Sequence, residues 1–324
     1  MSDRKPFIVA EMSANHLGNY NRAFSTVLAA AQAGADAIKF QTWTPGTMCI
    51  DPSYTLDSGP WKGRRLAELY EEAWTPWEWH EPLFDYARHL GMVPFSTAFD
   101  CGAVDFLETL GVDRHKVSSF ELTDLPLIRY MASKGKPMIL STGMATAREI
   151  GEAYQCLPDG LETTTLKCTS AYPADALDAN LSAGMRWPRW GLSDHSMGIG
   201  VACAAAALGA TYIEKHLTLS RADGGLDSGF SMEPAEFKQL ITECRRAAAA
   251  IGVVKYGPGP NESTALRRSL YAAQDTAKGA KLILHWNVKT ARPALGLPPS
   301  TDIAGAYAAR ALMAGEPLTS ECIA

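Results

Sequence analysis

The sequence predicts an α/β fold, a TIM (β/α)8 barrel followed by a small β-rich module, and three observations predict it. Short apolar runs alternate with amphipathic or Ala-rich stretches as far as about residue 251. Eight such runs fit into about 250 residues, the size and rhythm of this barrel. Polar and ionisable residues collect at or just past the C-terminal ends of the runs, where barrels of this kind build their sites. A doubly wound open sheet is the competing architecture, but no Gly-rich phosphate loop follows the first strand.

The predicted strands are Phe7 to Glu11, Ala37 to Gln41, Met92 to Ser96, Lys116 to Ser119, Met138 to Ser141, Thr165 to Thr169, Trp190 to Asp194 and Tyr212 to His216. Helical patterns fill the gaps, among them Asn21 to Ala33, Trp77 to Leu90, Leu125 to Ser133, about Gly198 to Gly209, and Glu233 to Ala250. Gly34, Gly91, Gly111, Gly135 and Gly209 sit just past helix ends, where a left-handed C-cap is expected. Two segments break the rhythm. The insert from Trp43 to Thr75, rich in Pro, Gly, Trp and charge, is too long for an ordinary loop and is expected over the barrel mouth. Past the last helix the pattern becomes short β-like pieces and tight turns, so the barrel is assigned to 1–254, a linker to 255–266 and a compact module to 267–324. That module is too small to be an independent enzyme and reads as a lid or docking element.

An apolar content of 47% in 324 residues supports a substantial core. Lys plus Arg is 30 against 35 for Asp plus Glu, which leaves no electrostatic footprint for nucleic acid or an anionic membrane. Any anionic ligand must therefore meet a local cluster of cations. The seven cysteines form no CxxC pair and no zinc-like spacing, and read as reduced thiols. No apolar signal core opens the chain, and no run approaches the ~20 residues needed to span a bilayer. The expectation is a soluble cytoplasmic protein.

His195 and His216 end two successive predicted strands. Neighbouring parallel strands lie only ~5 Å apart, so the two imidazoles can converge on one ligand, with Ser193, Asp194, Glu214 and Lys215 close by. That is a candidate divalent-metal site; the alternative is two histidines satisfied by ordinary hydrogen bonds. Glu11, Lys39, Gln41, Ser96, Thr97, Lys116, Ser119, Ser141, Thr142, Lys167, Ser170 and Tyr172 fall at the other strand ends. Lys39 and Lys116 with the Ser/Thr ring form a phosphate or carboxylate cradle, lysine acting as a point charge and hydroxyls donating. Beside a metal site, such a pocket suits a phosphorylated, carboxylated small molecule; the alternative is two lysines paired with structural carboxylates.

The runs IVAEMSANHLGN, AIKFQTWTP, FSTAFD, HKVSSFELTD, ILSTGMAT, LKCTSAYP, GLSDHSMG and IEKHLTL, followed by RRSLY and ARPALGL, resemble the sialic acid synthase family in order over almost the whole chain. Within it, GPWKGRRLAELYEEAWTPWEWH and RADGGLDSGFSMEP are more similar to the synthases of pseudaminic acid than to those of N-acetylneuraminate or legionaminate. The resemblance implies a barrel joined to a C-terminal antifreeze-like (SAF) domain. It also implies condensation of phosphoenolpyruvate with an N-acetylated amino sugar to a nine-carbon 2-keto acid and phosphate. By the same resemblance Lys39, Thr97, Lys116, Ser119, Ser141, Ser170 and Ser193 bind phosphoenolpyruvate, and His195 and His216 hold Mn2+ or Mg2+. Gln41, Tyr172, Asp227 and Arg292 face the sugar, with Glu11 and Glu121 as catalytic carboxylates near it. Ser170 stands where many relatives carry asparagine, Leu17 replaces a common polar residue and Leu226 a common proline. The stretch NLSAGMRWPRW before strand seven is short for the family.

A domain-swapped homodimer is also expected. The helix after strand eight leads the chain away from the barrel mouth, and a two-fold partner offers Arg292 a second mouth.

Overall fold

The computed structural model describes residues 5–324 and divides into two compact units between Gly252 and Val253. In the first, eight strands close a parallel barrel in sequential order. They are β1 (Phe7–Glu11), β2 (Ala37–Thr42), β3 (Val93–Ala98), β4 (His115–Val117), β5 (Met138–Ser141), β6 (Thr163–Cys168), β7 (Trp190–Asp194) and β8 (Tyr212–His216). β8 closes onto β1 with His216 opposite Glu11. The helices are α1 (Tyr20–Ala33), α2 (Pro45–Met48), α3 (Leu66–Ala73), α4 (His80–His89), α5 (Cys101–Thr109), α6 (Leu125–Ala132), α7 (Ala147–Tyr154), α8 (Leu181–Gly184), α9 (Gly200–Ala207) and α10 (Pro234–Ala250).

Local chemistry sets the helix ends. Asn19 caps α1 by accepting from the Arg22 backbone N–H, and Gly34 closes it at φ 93°, a conformation glycine adopts without a Cβ clash. Thr146 and Glu149 form a reciprocal capping box at the start of α7.

Strand alternation divides the barrel residues into two sets. Outward residues such as Ile8, Ile38, Leu140, Leu192 and Ile213 pack with the helices in the main core. Inward, Val9, Ala37, Phe95, Ile139, Leu166 and Tyr212 form a separate buried layer that fills the lower interior. Gly191 belongs to this inward set, and only a hydrogen fits: a Cβ there would lie 2.5 Å from the Tyr212 carbonyl oxygen. Two residues further along each strand, the inward position becomes polar or ionisable on β1, β2, β3, β5, β7 and β8, giving Glu11, Lys39, Thr97, Ser141, Ser193 and Glu214. The barrel interior therefore changes from oil to charge toward its C-terminal end.

Several boundaries shift from those expected. β4 ends at Val117, so Ser118 and Ser119 stand in the following loop, and β3 runs on to Ala98, so Thr97 lies within the strand. Trp77–Trp79 is a 3-10 turn leading into α4, and the short stretch before β7 keeps only the single turn α8. Lys167 and Lys215 point outward, away from the ring of strand-end polar residues: Lys215 pairs with Asp194 at 2.6 Å, both fully buried, and Lys167 bonds the Cys168 carbonyl.

The second unit contains β9 (Ser269–Ala272) paired antiparallel with β10 (Val288–Ala291). It has its own core of Leu270, Ala272, Leu282, Val288, Ile303, Ala308, Leu312, Leu318 and Cys322. The expected linker groups with this unit. Among the described residues no helix is long and apolar enough to cross a membrane.

Candidate active site

A cavity of about 370 Å3 opens at the C-terminal end of the barrel. Its floor is a quartet of two carboxylates and two ammonium groups from four strands. Glu11 lies 2.6 Å from Lys39, while Glu214 is 3.6 Å from both Lys39 and Lys116, and all four side chains are buried. Lys39 donates to the Thr97 hydroxyl at 3.1 Å. Glu214 accepts from Tyr212 at 3.1 Å and from Ser193 at 3.3 Å. The Ser141 hydroxyl is buried with no hydrogen-bond partner among the described residues, a donor left free in the same floor.

Burial and charge divide the two carboxylates. Burial pushes Glu11 up to about 7, although Lys39 opposes it. Burial would also raise Glu214, but Lys116 and Lys39 together hold it below its ordinary value. Two carboxylates in one site with pKa values driven apart are a common arrangement for assigning one group to proton transfer and the other to fixed charge. Glu121 lines the cavity further out, bonded to Ser118, and burial raises its pKa as well.

His195 and His216 line the same cavity with ring centroids 5.3 Å apart. The Nδ1 of His195 meets the Thr169 carbonyl at 2.9 Å. A proton held there leaves Nε2 with its lone pair, the usual way an outer partner fixes a ligating tautomer. The Nδ1 of His216 is buried with no partner among the described residues, and burial, then His195 and the lysines, hold its pKa well below the usual value. Burial would lower the His195 pKa, but Cys168 and the Thr169 carbonyl raise it above the usual value; once that ring gives up its proton, the two imidazoles offer unspent nitrogens that fit a divalent cation. Among the described residues no third His, Cys, Asp or Glu completes a cluster, so oxygen from water or ligand would fill the other positions, as an open catalytic site requires.

The remaining expected residues occupy different positions. Gln41 donates to Glu11 at 3.2 Å and to Ser13 at 2.8 Å, and Ser13 donates to Asp227 at 2.6 Å. Tyr172 packs on His195 with ring centroids 4.3 Å apart. Ser119 lines the cavity. Ser170 stands behind it, both serines pressing on Gly143, where a Cβ would meet each at 2.5 Å. Arg292 belongs to the second unit, where it is exposed just after β10.

Among the lining residues, Cys168 and Ser13 were not singled out from sequence, and Glu214 only as a neighbour of the two histidines. Glu214 is two residues before His216 on β8, and the same alternation that places the histidine indicates it. Cys168 lies inward on β6 with Sγ 3.9 Å from the His195 Nδ1; burial raises its pKa, but His195 and Ser119 bring it down to about 7. Ser13, at φ 47°, links Gln41 to Asp227 through a backbone conformation that no motif announces. The expected cover is present too. The insert supplies Trp43, Met48, Leu56, Trp61, Leu66, Leu69 and Tyr70 to the wall, and Trp61 donates to the Leu226 carbonyl across the mouth at 3.1 Å.

Residues 26–256 match the NeuB family. The chain is 37% identical to the pseudaminic acid synthase of Campylobacter jejuni subsp. jejuni serotype O:23/36 (strain 81-176), over 98% of this chain and 96% of that protein. It is 38% identical to the pseudaminic acid synthase of Helicobacter pylori (strain ATCC 700392 / 26695), over 98% of each. Among solved structures, the N-acetylneuraminic acid (sialic acid) synthetase of Leptospira borgpetersenii serovar Hardjo-bovis, in complex with citrate, superposes with a TM-score of 0.72 at 32% identity. The match covers 79% of this chain and 89% of that one. With a family match across most of the barrel and relatives above 30% identity over nearly the full length, the chain belongs to the NeuB family.

Proposed function

We propose that this protein is a pseudaminic acid synthase, condensing phosphoenolpyruvate with 2,4-diacetamido-2,4,6-trideoxy-L-altrose to a nine-carbon 2-keto acid and phosphate. The observation that carries the reading is the floor of the cavity. Two buried lysines stand within a ring of hydroxyls, directly beside a pair of imidazoles, in a chain aligned end to end with two synthases of that acid.

In this reading Lys39, Lys116, Thr97, Ser119, Ser141 and Ser193 hold the phosphate and carboxylate of phosphoenolpyruvate, with Ser170 supporting Ser119. Gln41, Tyr172 and Asp227 orient the open-chain sugar. His195 and His216 would hold Mn2+ or Mg2+, and the bound ion supplies Lewis acidity toward the sugar aldehyde. C3 of phosphoenolpyruvate forms the new bond to the aldehyde carbon, whose oxygen becomes a hydroxyl. Water adds to the cationic C2, and the resulting intermediate expels phosphate by C–O cleavage, leaving the ketone. Glu11, with a pKa near 7, can both accept the proton of the entering water and return it. Glu121 serves as the second proton carrier from the sugar side.

The C-terminal unit is assigned as an antifreeze-like (SAF) domain that completes the site of a partner chain through Arg292. Phosphoenolpyruvate chemistry and seven free cysteines both suit a reducing cytoplasm.

The test is phosphate release by purified protein given phosphoenolpyruvate, Mn2+ or Mg2+, and each candidate sugar. Release with the diacetamido trideoxy sugar is expected. Release only with N-acetylmannosamine, or only with the legionaminate precursor, assigns the sister activity instead, and sugar binding without turnover leaves a silent sugar-binding barrel.

A further inference from the structure

Charge and imidazole account for the floor of the cavity, but its outer wall is of different chemistry. The insert places Leu56, Trp61, Leu66, Leu69 and Tyr70 there, and the loop after β8 places Leu226 with them. Trp61 spends its indole N–H on the Leu226 carbonyl, so its ring contributes carbon surface. Leu69 is buried, while Leu56, Trp61, Leu66 and Leu226 are half-buried around the opening. The polar exceptions are Glu121, already bonded by Ser118, and Tyr70. Its ring packs edge-on against Trp43 at 5.2 Å, while its hydroxyl makes no hydrogen bond with any described residue.

This wall is continuous with the imidazoles. Tyr172 lies 4.3 Å from His195 and 5.9 Å from Trp61, ring to ring. An open-chain hexose with its aldehyde at the histidines therefore directs its far end into the leucines and indole. A hydroxyl buried there gives up water without a replacement partner, whereas a methyl gains by leaving water.

We infer that this outer wall is the specificity subsite for the end of the sugar remote from the aldehyde. It selects a 6-deoxy carbon and a C4 acetamide over hydroxyls at both positions, with the Tyr70 hydroxyl bonding the C4 amide. The inference rests on the synthase reading for the identity of the sugar, while the carbon lining supplies the preference. An apolar pocket discriminates by roughly 10–200-fold per small group, so the preference is substantial but finite.

The experiment compares 2,4-diacetamido-2,4,6-trideoxy-L-altrose with its 4,6-dihydroxy counterpart, 2-acetamido-2-deoxy-L-altrose, on wild type, Leu56→Asn, Leu66→Asn and Tyr70→Phe. Sugar Kd is measured by calorimetry with Mn2+ and without phosphoenolpyruvate, and kcat/KM by phosphate release. The ratio for two sugars on one preparation cancels any inactive fraction. Wild type should favour the trideoxy sugar by at least about tenfold. Each Leu→Asn variant should shrink that ratio by about tenfold. Tyr70→Phe should weaken the diacetamido sugar several-fold and leave the other unchanged. A Kd ratio kept within about twofold of wild type in both leucine variants overturns the subsite, whatever the turnover. Normal discrimination in Kd without phosphate release from either sugar overturns the synthase reading and supports the subsite. Failure of both sugars to bind overturns both.

Discussion

Glu11 and Lys39 face each other in register across the β1–β2 ladder, 2.6 Å apart and both buried. Glu11→Gln keeps the shape and removes the titrating proton. The expected outcome is a fall in kcat of about 10²–10⁴-fold with phosphoenolpyruvate affinity changed far less, and loss of the limb near pH 7 from the kcat/KM profile. Stability carries a matching signature. Burial raises the carboxyl from 4.5 to about 7, so between those values the native chain holds a proton that the unfolded chain has released. Stability from this group is therefore complete below the unfolded value and is lost as pH rises through the folded one. Denaturation of wild type and variant across that window should show the difference, and parallel curves would remove Glu11 from the account.

His195→Ala and His216→Ala should each abolish turnover while the melting temperature stays near that of wild type. Metal content by elemental analysis is the direct measure. Undiminished metal in both variants would return these residues to ordinary hydrogen bonding. In wild type, affinity for the ion should weaken as pH falls through the His195 pKa, which Cys168 and the Thr169 carbonyl hold above its usual value against the effect of burial, since an imidazole must be neutral to ligate.

Behind the histidines, on the outer face of the same two strands, Asp194 and Lys215 form a fully buried pair at 2.6 Å. Removing one member strands a charge in the core. Lys215→Met alone should cost about 3–5 kcal/mol in urea denaturation, and adding Asp194→Leu should restore most of it. Additive losses would show that the two residues act separately.

Arg292 acts in trans if the protein is the proposed dimer. Mixing an inactive Lys116→Ala chain with an inactive Arg292→Ala chain, under conditions that exchange subunits, should restore activity, because one site of the mixed dimer then holds both residues intact. A mixture that stays inactive means each chain uses its own arginine.

Most of the barrel was legible because two periods recur without interruption: alternation within strands and an amphipathic helix between them. The same alternation turns Glu11, Lys39, Thr97, Ser141, Ser193, His195 and His216 inward, since each lies an even number of residues from an inward position. Lys167 and Lys215 show the limit of reading by proximity to a strand end, because one residue of offset sends a side chain to the opposite face. Ser13 and Ser170 were harder for another reason. Their surroundings come from loop conformation and from contacts between distant segments, and neither leaves a periodic trace. Tyr70 and the leucines of the insert were visible only as an irregular, aromatic-rich interruption. Which of its residues turn inward depends on the Trp61–Leu226 closure, a contact across 165 positions of chain.

The apolar layer of Val9, Ala37, Phe95, Ile139, Leu166 and Tyr212 lies directly beneath the ionic floor and is at most 3% exposed. It makes the chamber a blind alley: what reaches the bottom must leave by the way it came in. If the anion occupies the floor and the sugar the outer wall, traffic is first in, last out. For turnover phosphoenolpyruvate must arrive before the sugar, a sugar bound to the empty enzyme being a dead end that closes off the floor, and phosphate must wait for the nine-carbon acid to depart. Product-inhibition patterns test this queue. Phosphate should compete with phosphoenolpyruvate for the empty enzyme, and random-order kinetics would mean that the mouth admits both ligands side by side.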